Sequence, residues 1–127
     1  MKKAYWIAKY KKIDDQDALG KYAEKAKKVI EEFGGKALVR GGKYVTFEGE
    51  NFIRTVVWEF ENIDIATKCH DSKNYQQAWS LAKNTTIRDL LIVEGLEYST
   101  GTGSILLHIY QVATVVYGCH LFLKKSN

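Results

Sequence analysis

"FIRTVVWEF", residues 52–60, is the run on which the fold turns. β-Branched and aromatic side chains fill it, so it reads as a strand. A strand with one face in water alternates apolar and polar residues, but this one is apolar in both alternating sets, so both of its faces call for cover. "YWIA" at 5–8 and "LLIV" at 90–93 have the same property. Such strands imply a sheet packed on one side by the chain's own helices and on the other by something further.

Upstream, Gly49-Glu50-Asn51 joins this run at hairpin length to a second strand-like stretch, residues 43–48. Residues 36–40, "KALVR", are strand-like too, and Gly41-Gly42 reads as the bend that joins both stretches into one long strand. Before them, "DDQDALGKYAEKAKKVIEEFGG" (14–35) carries a helical stripe in which Leu19, Tyr22, Ala23, Ala26, Val29, Ile30 and Phe33 recur at spacings of three and four. Asp14 or Asp15 caps its start and Gly34-Gly35 offers a left-handed stop. "AYWIAKY" (4–10) is the first strand.

Downstream, Asn62 caps a helical region that restarts at "HDSKNYQQAWSLAKN" (70–84), where Asp71 or Ser72 is the cap and Tyr75, Ala78, Trp79 and Ala82 are the buried stripe. "IRDLLIVE" (87–94) closes as a buried strand ended by Gly95. The order β-α-β-β-α-β is that of an α+β, ferredoxin-like protomer with an antiparallel sheet. Two helices cover only one face of it. The economical cover for the other face is a second copy, making a two-fold homodimer through the sheet face.

A chain of 127 residues suits one domain. The net charge of +4 raises the question of nucleic acid, but Asp14, Asp15, Asp17, Glu24, Glu31 and Glu32 lie among the early lysines. That is a mixed, solvated face, and nucleic acid is not an expected partner. Only Cys69 and Cys119 are present, and the apolar run after the basic opening is too short for a signal peptide, so a cytoplasmic location is expected.

The segments "AYWIAKY", "KYAEKAKKVIEEFGGKALVRGGKYVTFEGE", "RTVVWEF", "DSKNYQQA" and "LLIVEG", in this order and at these intervals over residues 3–96, resemble the small bacterial family called domain of unknown function 1330. That family belongs to the dimeric α/β-barrel superfamily. The resemblance implies a ferredoxin-like protomer whose sheets pack in a dimer, with a cavity between sheet and helices. It implies no particular reaction, because superfamily relatives include cofactor-free monooxygenases, heme-degrading enzymes, lactone isomerases and proteins that only bind small molecules. The chain departs from the family pattern at His70, where an aromatic residue usually precedes the "DS" pair, and in continuing well past Glu94-Gly95.

The candidate ligand-binding residues are Arg40, Glu59, Ser72 and Tyr75, and the candidate proton carriers are His70 and Glu94. Arg40 either holds the carboxylate or enolate of a small ligand with its planar fork, or is a strand residue paired with Glu48, Glu59 or Glu94 beside a glycine bulge. Glu59 and Glu94, near the ends of apolar strands, are raised-pKa groups if buried and ordinary sheet-edge carboxylates if not. His70 titrates near neutrality and stands close in sequence to Ser72 and Tyr75, which makes it either a pocket group or a solvent-exposed turn residue. Trp6, Trp58, Trp79 and Tyr5 read first as core. The repeated Cys69-His70 and Cys119-His120 dipeptides lack zinc-ligand spacing, and no phosphate loop, dinucleotide fingerprint or nucleophile elbow is present, so no cofactor or metal is expected.

Two functions compete: a module that binds a small organic molecule, and a cofactor-free isomerase or monooxygenase acting on a small anionic or aromatic substrate. The domain is expected over residues 1–97, with residues 98–127 as an apolar extension. The extension has no charge from Tyr98 to Leu123 and is either a packed tail or a membrane anchor, the only route to membrane contact.

Overall fold

The computed structural model describes residues 2–96. The expectations for residues 98–127 lie outside them. Among the described residues no helix is long and apolar enough to cross a membrane.

The chain runs β1 (Ala4–Ile13), α1 (Gln16–Glu32), β2 (Lys36–Arg40), β3 (Arg54–Phe60), α2 (Ile63–Asp71), α3 (Lys73–Ser80), a 3-10 turn (Lys83–Thr85) and β4 (Thr86–Glu94). The four strands form one sheet in the order β2-β3-β1-β4, all neighbours antiparallel. This is the ferredoxin-like α+β arrangement expected, with its second helical region divided in two. Ser72 makes the division: its hydroxyl donates to the Cys69 carbonyl at 2.7 Å, ending α2, and accepts from the Tyr75 N–H at 3.2 Å, starting α3.

The other helix ends follow the same chemistry. Asp15 accepts from the Ala18 N–H at 3.0 Å to cap α1, and Asn62 accepts from the Ile65 N–H at 2.9 Å to cap α2. Gly34, with φ +82°, turns α1 off in the left-handed region, and the Gly35 N–H then reaches back to the Ile30 carbonyl at 2.8 Å.

One expectation fails. Residues 43–48 form no strand, Gly49-Glu50-Asn51 is no hairpin turn, and β2 and β3 are joined by an irregular connection over residues 41–53. The cause is at Gly41. Its N–H makes a last bond to the Thr55 carbonyl at 2.8 Å, and its φ of +62° then steers the chain off the sheet. Among the described residues, strand propensity in "YVTF" has no partner to act on beyond that point, and Val45 and Phe47 stand 74% and 90% exposed.

Register sorts the two faces of the sheet. On the helix-covered face lie Ala4, Trp6, Ala8 and Tyr10 of β1, all buried, with Phe60, Trp58, Val56 and Arg54 opposite them on β3. With Leu19, Tyr22, Ala26 and Ile30 of α1 and Ala66, Cys69, Tyr75 and Ala78 of the other helices they make the core. On the other face, Val39, Val57, Ile7 and Leu91 form a row across all four strands, with Tyr5 and Val93 in the next row. No element of the described chain covers this row, and Val39, Leu91 and Val93 are 42–51% exposed.

Cys69 is fully buried, and burial pushes its thiol up to about 12. A folded-state pKa above the unfolded one, ~8.5 for a free thiol, means that this contribution is complete below about pH 8.5 and is lost as pH rises toward the folded value. Between pH 9 and 10 stability should fall by up to ~1.4 kcal/mol per pH unit from this thiol, in addition to the loss from unfolded tyrosines as they begin to ionise. Urea midpoints in that window should be flatter with pH in Cys69→Ala than in the parent.

Candidate functional site

Sheet register alone places three polar side chains in one line. Tyr10 on the central strand lies opposite Arg54 on one side and Arg88 on the other, all on the helix-covered face. Arg40 stands opposite Val56, one row along and at the edge. Arg40, Arg54 and Arg88 all line one cavity of about 180 Å³ between α1 and the sheet, whose remaining wall is mainly Trp6, Trp58, Leu19, Tyr22 and Ile30.

Arg88 is the organising group. Its Nη1 donates to the Tyr10 hydroxyl at 3.2 Å and the Tyr22 hydroxyl at 3.1 Å, and its Nη2 donates to the Tyr75 hydroxyl at 2.8 Å. The guanidinium plane rests on Trp79, 3.6 Å from the ring centroid. A half-buried cation usually needs a carboxylate. Here, among the described residues, no carboxylate pairs with it, and three phenols and an indole face stand in for one. Burial works against the Arg88 charge, but the oxygens of Tyr22, Tyr75 and Tyr10 outweigh it and hold its pKa above the ordinary arginine value.

Burial also raises all three phenols above the usual tyrosine range, so each keeps its proton. The Tyr22 and Tyr75 oxygens are 2.7 Å apart, so one donates to the other. Tyr75 is wholly buried and does not line the cavity, whereas Tyr22 does. A buried hydroxyl proton left without an acceptor costs about 1–3 kcal/mol, so Tyr75 donates to Tyr22. That leaves the Tyr22 proton, like that of Tyr10, for the cavity.

Arg54 owes its place to a glycine. A Cβ on Gly41 would run into the Arg54 Nη1 and lie 2.8 Å from its Cζ. Gly41 therefore does two things, adopting a positive φ and letting the Arg54 guanidinium lie against the backbone. Gly41→Ala should cost about 1–2 kcal/mol from backbone strain alone. Gly42→Ala, whose Cβ meets nothing within 4 Å, is the control. Urea denaturation of the pair measures the difference.

The residues singled out from the sequence scatter around this site. Arg40 lines the cavity, is exposed, and sits 5.3 Å from the Trp58 ring centroid; among the described residues it has no ion pair with Glu48, Glu59 or Glu94. Tyr75 lies behind the cavity wall as the donor to Tyr22. Ser72 is a helix cap. Glu59 is on the opposite face, accepting from the Tyr5 hydroxyl at 3.1 Å with Lys3 at 3.9 Å. Glu94 is exposed at the end of β4, so it is not the buried carboxylate that a proton carrier in the cavity would be.

His70 packs its ring 5.8 Å from Trp6 and 5.6 Å from Tyr75, as an aromatic side chain would, and its Nδ1 bonds Asp71 at 2.9 Å. It is not in the cavity wall. Among the described residues no cluster of three metal-ligating side chains occurs. Arg88, Arg54, Tyr10 and Tyr22 were missed as site residues by sequence reasoning. Their one signal is phase: Arg88 alternates with Leu90 and Ile92, and Arg54 with Val56 and Trp58, in positions otherwise given to core.

Solved structures share the fold. A protein of unknown function from Rhodopseudomonas palustris superposes with a TM-score of 0.59 at 14% identity, over 76% of this chain and 84% of that one. A dimeric ferredoxin-like protein of unknown function from Bacteroides fragilis gives 0.52 at 15%, over 73% and 96%. Another, from Jannaschia sp., gives 0.53 at 8%, over 73% and 99%. At these identities the likeness is one of fold. None of the curated proteins matches the chain. Residues 3–96, the whole of the sheet and helices that build the cavity, match the family model described as Domain of unknown function (DUF1330), and the chain belongs to that family.

Proposed function

We propose that this protein is a homodimer that binds a small organic molecule in the cavity between α1 and the sheet. The observation that carries this reading is the cavity itself: about 180 Å³, mostly aromatic and aliphatic in lining, with three arginines converging on it and no ion pair to any of them among the described residues. That volume is slightly more than the roughly 150 Å³ that admits benzene to a protein core. Apolar walls with a few convergent polar groups are what a ligand pocket needs.

The dimer rests on the uncovered row Val39, Val57, Ile7 and Leu91, a contiguous apolar stripe of the kind that marks an interface. The Bacteroides fragilis and Jannaschia structures of the same fold are described as dimeric, which supports it. The enzymatic alternative assigns proton transfer to His70 or Glu94. Neither lines the cavity, so binding is the preferred reading.

A thermal-shift screen of small acids, phenols and neutral ring compounds against the full chain tests it. A true ligand at 100 times its Kd should stabilise the fold by ~2.7 kcal/mol. Ala23→Trp, which fills the cavity from an exposed position on α1, should abolish the shift. Shifts that survive this substitution would place binding elsewhere and sink the proposal.

A further inference from the structure

We infer that the ligand is bound as an oxyanion: a carboxylate, enolate or phenolate carried on a ring-sized apolar body, with Arg88, Tyr10 and Tyr22 as its receptor. The inference rests on the cavity reading above and narrows it to a charge and a functional group.

Counting hydrogens gives the argument. A guanidinium has five N–H groups. Arg88 spends two from Nη1 on Tyr10 and Tyr22 and one from Nη2 on Tyr75, which leaves the Nε–H and one Nη2–H without an acceptor among the described residues. The Tyr22 oxygen accepts from Arg88 and again from Tyr75, so it has only its proton left to offer, while the Tyr10 oxygen accepts from Arg88 and still has its proton to give. Arg40 and Arg54 add further donors to the same cavity. Glu24, the sole carboxylate on the lining, is exposed on α1 and pairs with none of the three arginines.

The polar part of the wall around Arg88 therefore offers more donors than acceptors, and with Arg40, Arg54 and Arg88 against Glu24 it carries net positive charge. A cationic ligand would be repelled, and a neutral one would meet the same donors without charge assistance. A single oxyanion satisfies Arg88 and both phenols at once, through charge-assisted bonds stronger than neutral ones. Trp6, Trp58, Leu19 and Ile30 exclude a multiply charged group that needs polar contacts on all sides, and fit an apolar body behind the oxyanion.

Benzoate and its uncharged counterpart benzamide are suitable probes, with binding to the full chain followed by the fluorescence of Trp6 and Trp58 in the cavity wall. Benzoate should bind at least about 10-fold more tightly than benzamide. Arg88→Gln should weaken benzoate about 30-fold and leave benzamide within about 2-fold. Tyr10→Phe and Tyr22→Phe should each weaken benzoate about 5-fold, whereas Tyr75→Phe, which leaves the Tyr22 proton in place, should do less. Should Arg88→Gln lose its circular dichroism signature, the two tyrosine variants carry the test.

Benzamide binding as tightly as benzoate would overturn the oxyanion inference while the cavity reading stands. A preference for benzoate that none of the variants alters would place the anion elsewhere and overturn it as well. Failure of both probes at millimolar concentration would remove the inference and the cavity reading together.

Discussion

Trp6→Ala is expected to destabilise the protein by about 3–5 kcal/mol, a large part of the total for a domain of this size. Trp6 lies in the first half of β1, an inner strand of the sheet, and is 1% exposed. Its ring stacks on Phe60 at 5.9 Å and meets the edge of Tyr75 at 4.8 Å, so it ties β3 and α3 to β1. The small residues beside it on the same face, Ala4 and Ala8, cannot collapse into the space it leaves. At ~4–8 °C per kcal/mol, the melting temperature should drop by more than ~12 °C. Leu81→Ala, at a side chain 38% exposed outside the core, should stay close to the parent, within ~0.5 kcal/mol. Equal losses at both positions would mean that the core does not centre on Trp6.

Leu91→Asp is expected to separate the proposed dimer without unfolding the protomer. Leu91 ends the apolar row that crosses the open face of the sheet and is 51% exposed within one protomer, so a carboxylate there stays in water when the chain is alone. In a two-fold interface the substitution occurs twice, and each buried, unpaired charge costs about 3–5 kcal/mol. Light scattering should therefore report the parent at twice 14.5 kDa and the variant at 14.5 kDa, with unchanged far-ultraviolet circular dichroism. A parent that is monomeric at micromolar concentration, or a variant that stays dimeric, would remove the sheet face as the interface.

Both predictions draw on the same property of the strands, and it was the most legible part of the sequence. Double-sided apolar runs in β1, β3 and β4 called for two covers, and the stripe from Leu19 to Phe33 supplied one of them. Caps at Asp15, Asn62 and Ser72 are local hydrogen-bonding events between a side chain and an amide three residues on, so spacing placed them to within one residue, leaving Asp14 or Asp15 and Asp71 or Ser72 open. The connection over residues 41–53 could not. Its strand propensity is real, but a strand exists only where another offers its amides and carbonyls, and the positive φ of Gly41 takes the chain away from that partner.

The candidate site was less legible for a related reason. Arg40 was visible because it stands beside two glycines; Arg88 was hidden inside a strand that reads as core. When both phases of a strand are apolar, sequence cannot say which phase meets the helices, so an arginine in one of them carries no address. Nor could spacing reveal that Tyr10, Tyr22 and Tyr75 meet at one guanidinium, since they come from a strand and two helices up to 78 residues from Arg88.

By itself, then, the sequence determined the order of the elements, their caps, and the need for cover on two faces, because periodicity and capping are short-range. Only the tertiary structure decided that Gly41 ends a strand rather than bends one and makes room for Arg54. It also decided that the charge to explain lies at Arg88, because strand register sets side chains from distant segments in one row, and no local pattern encodes that register.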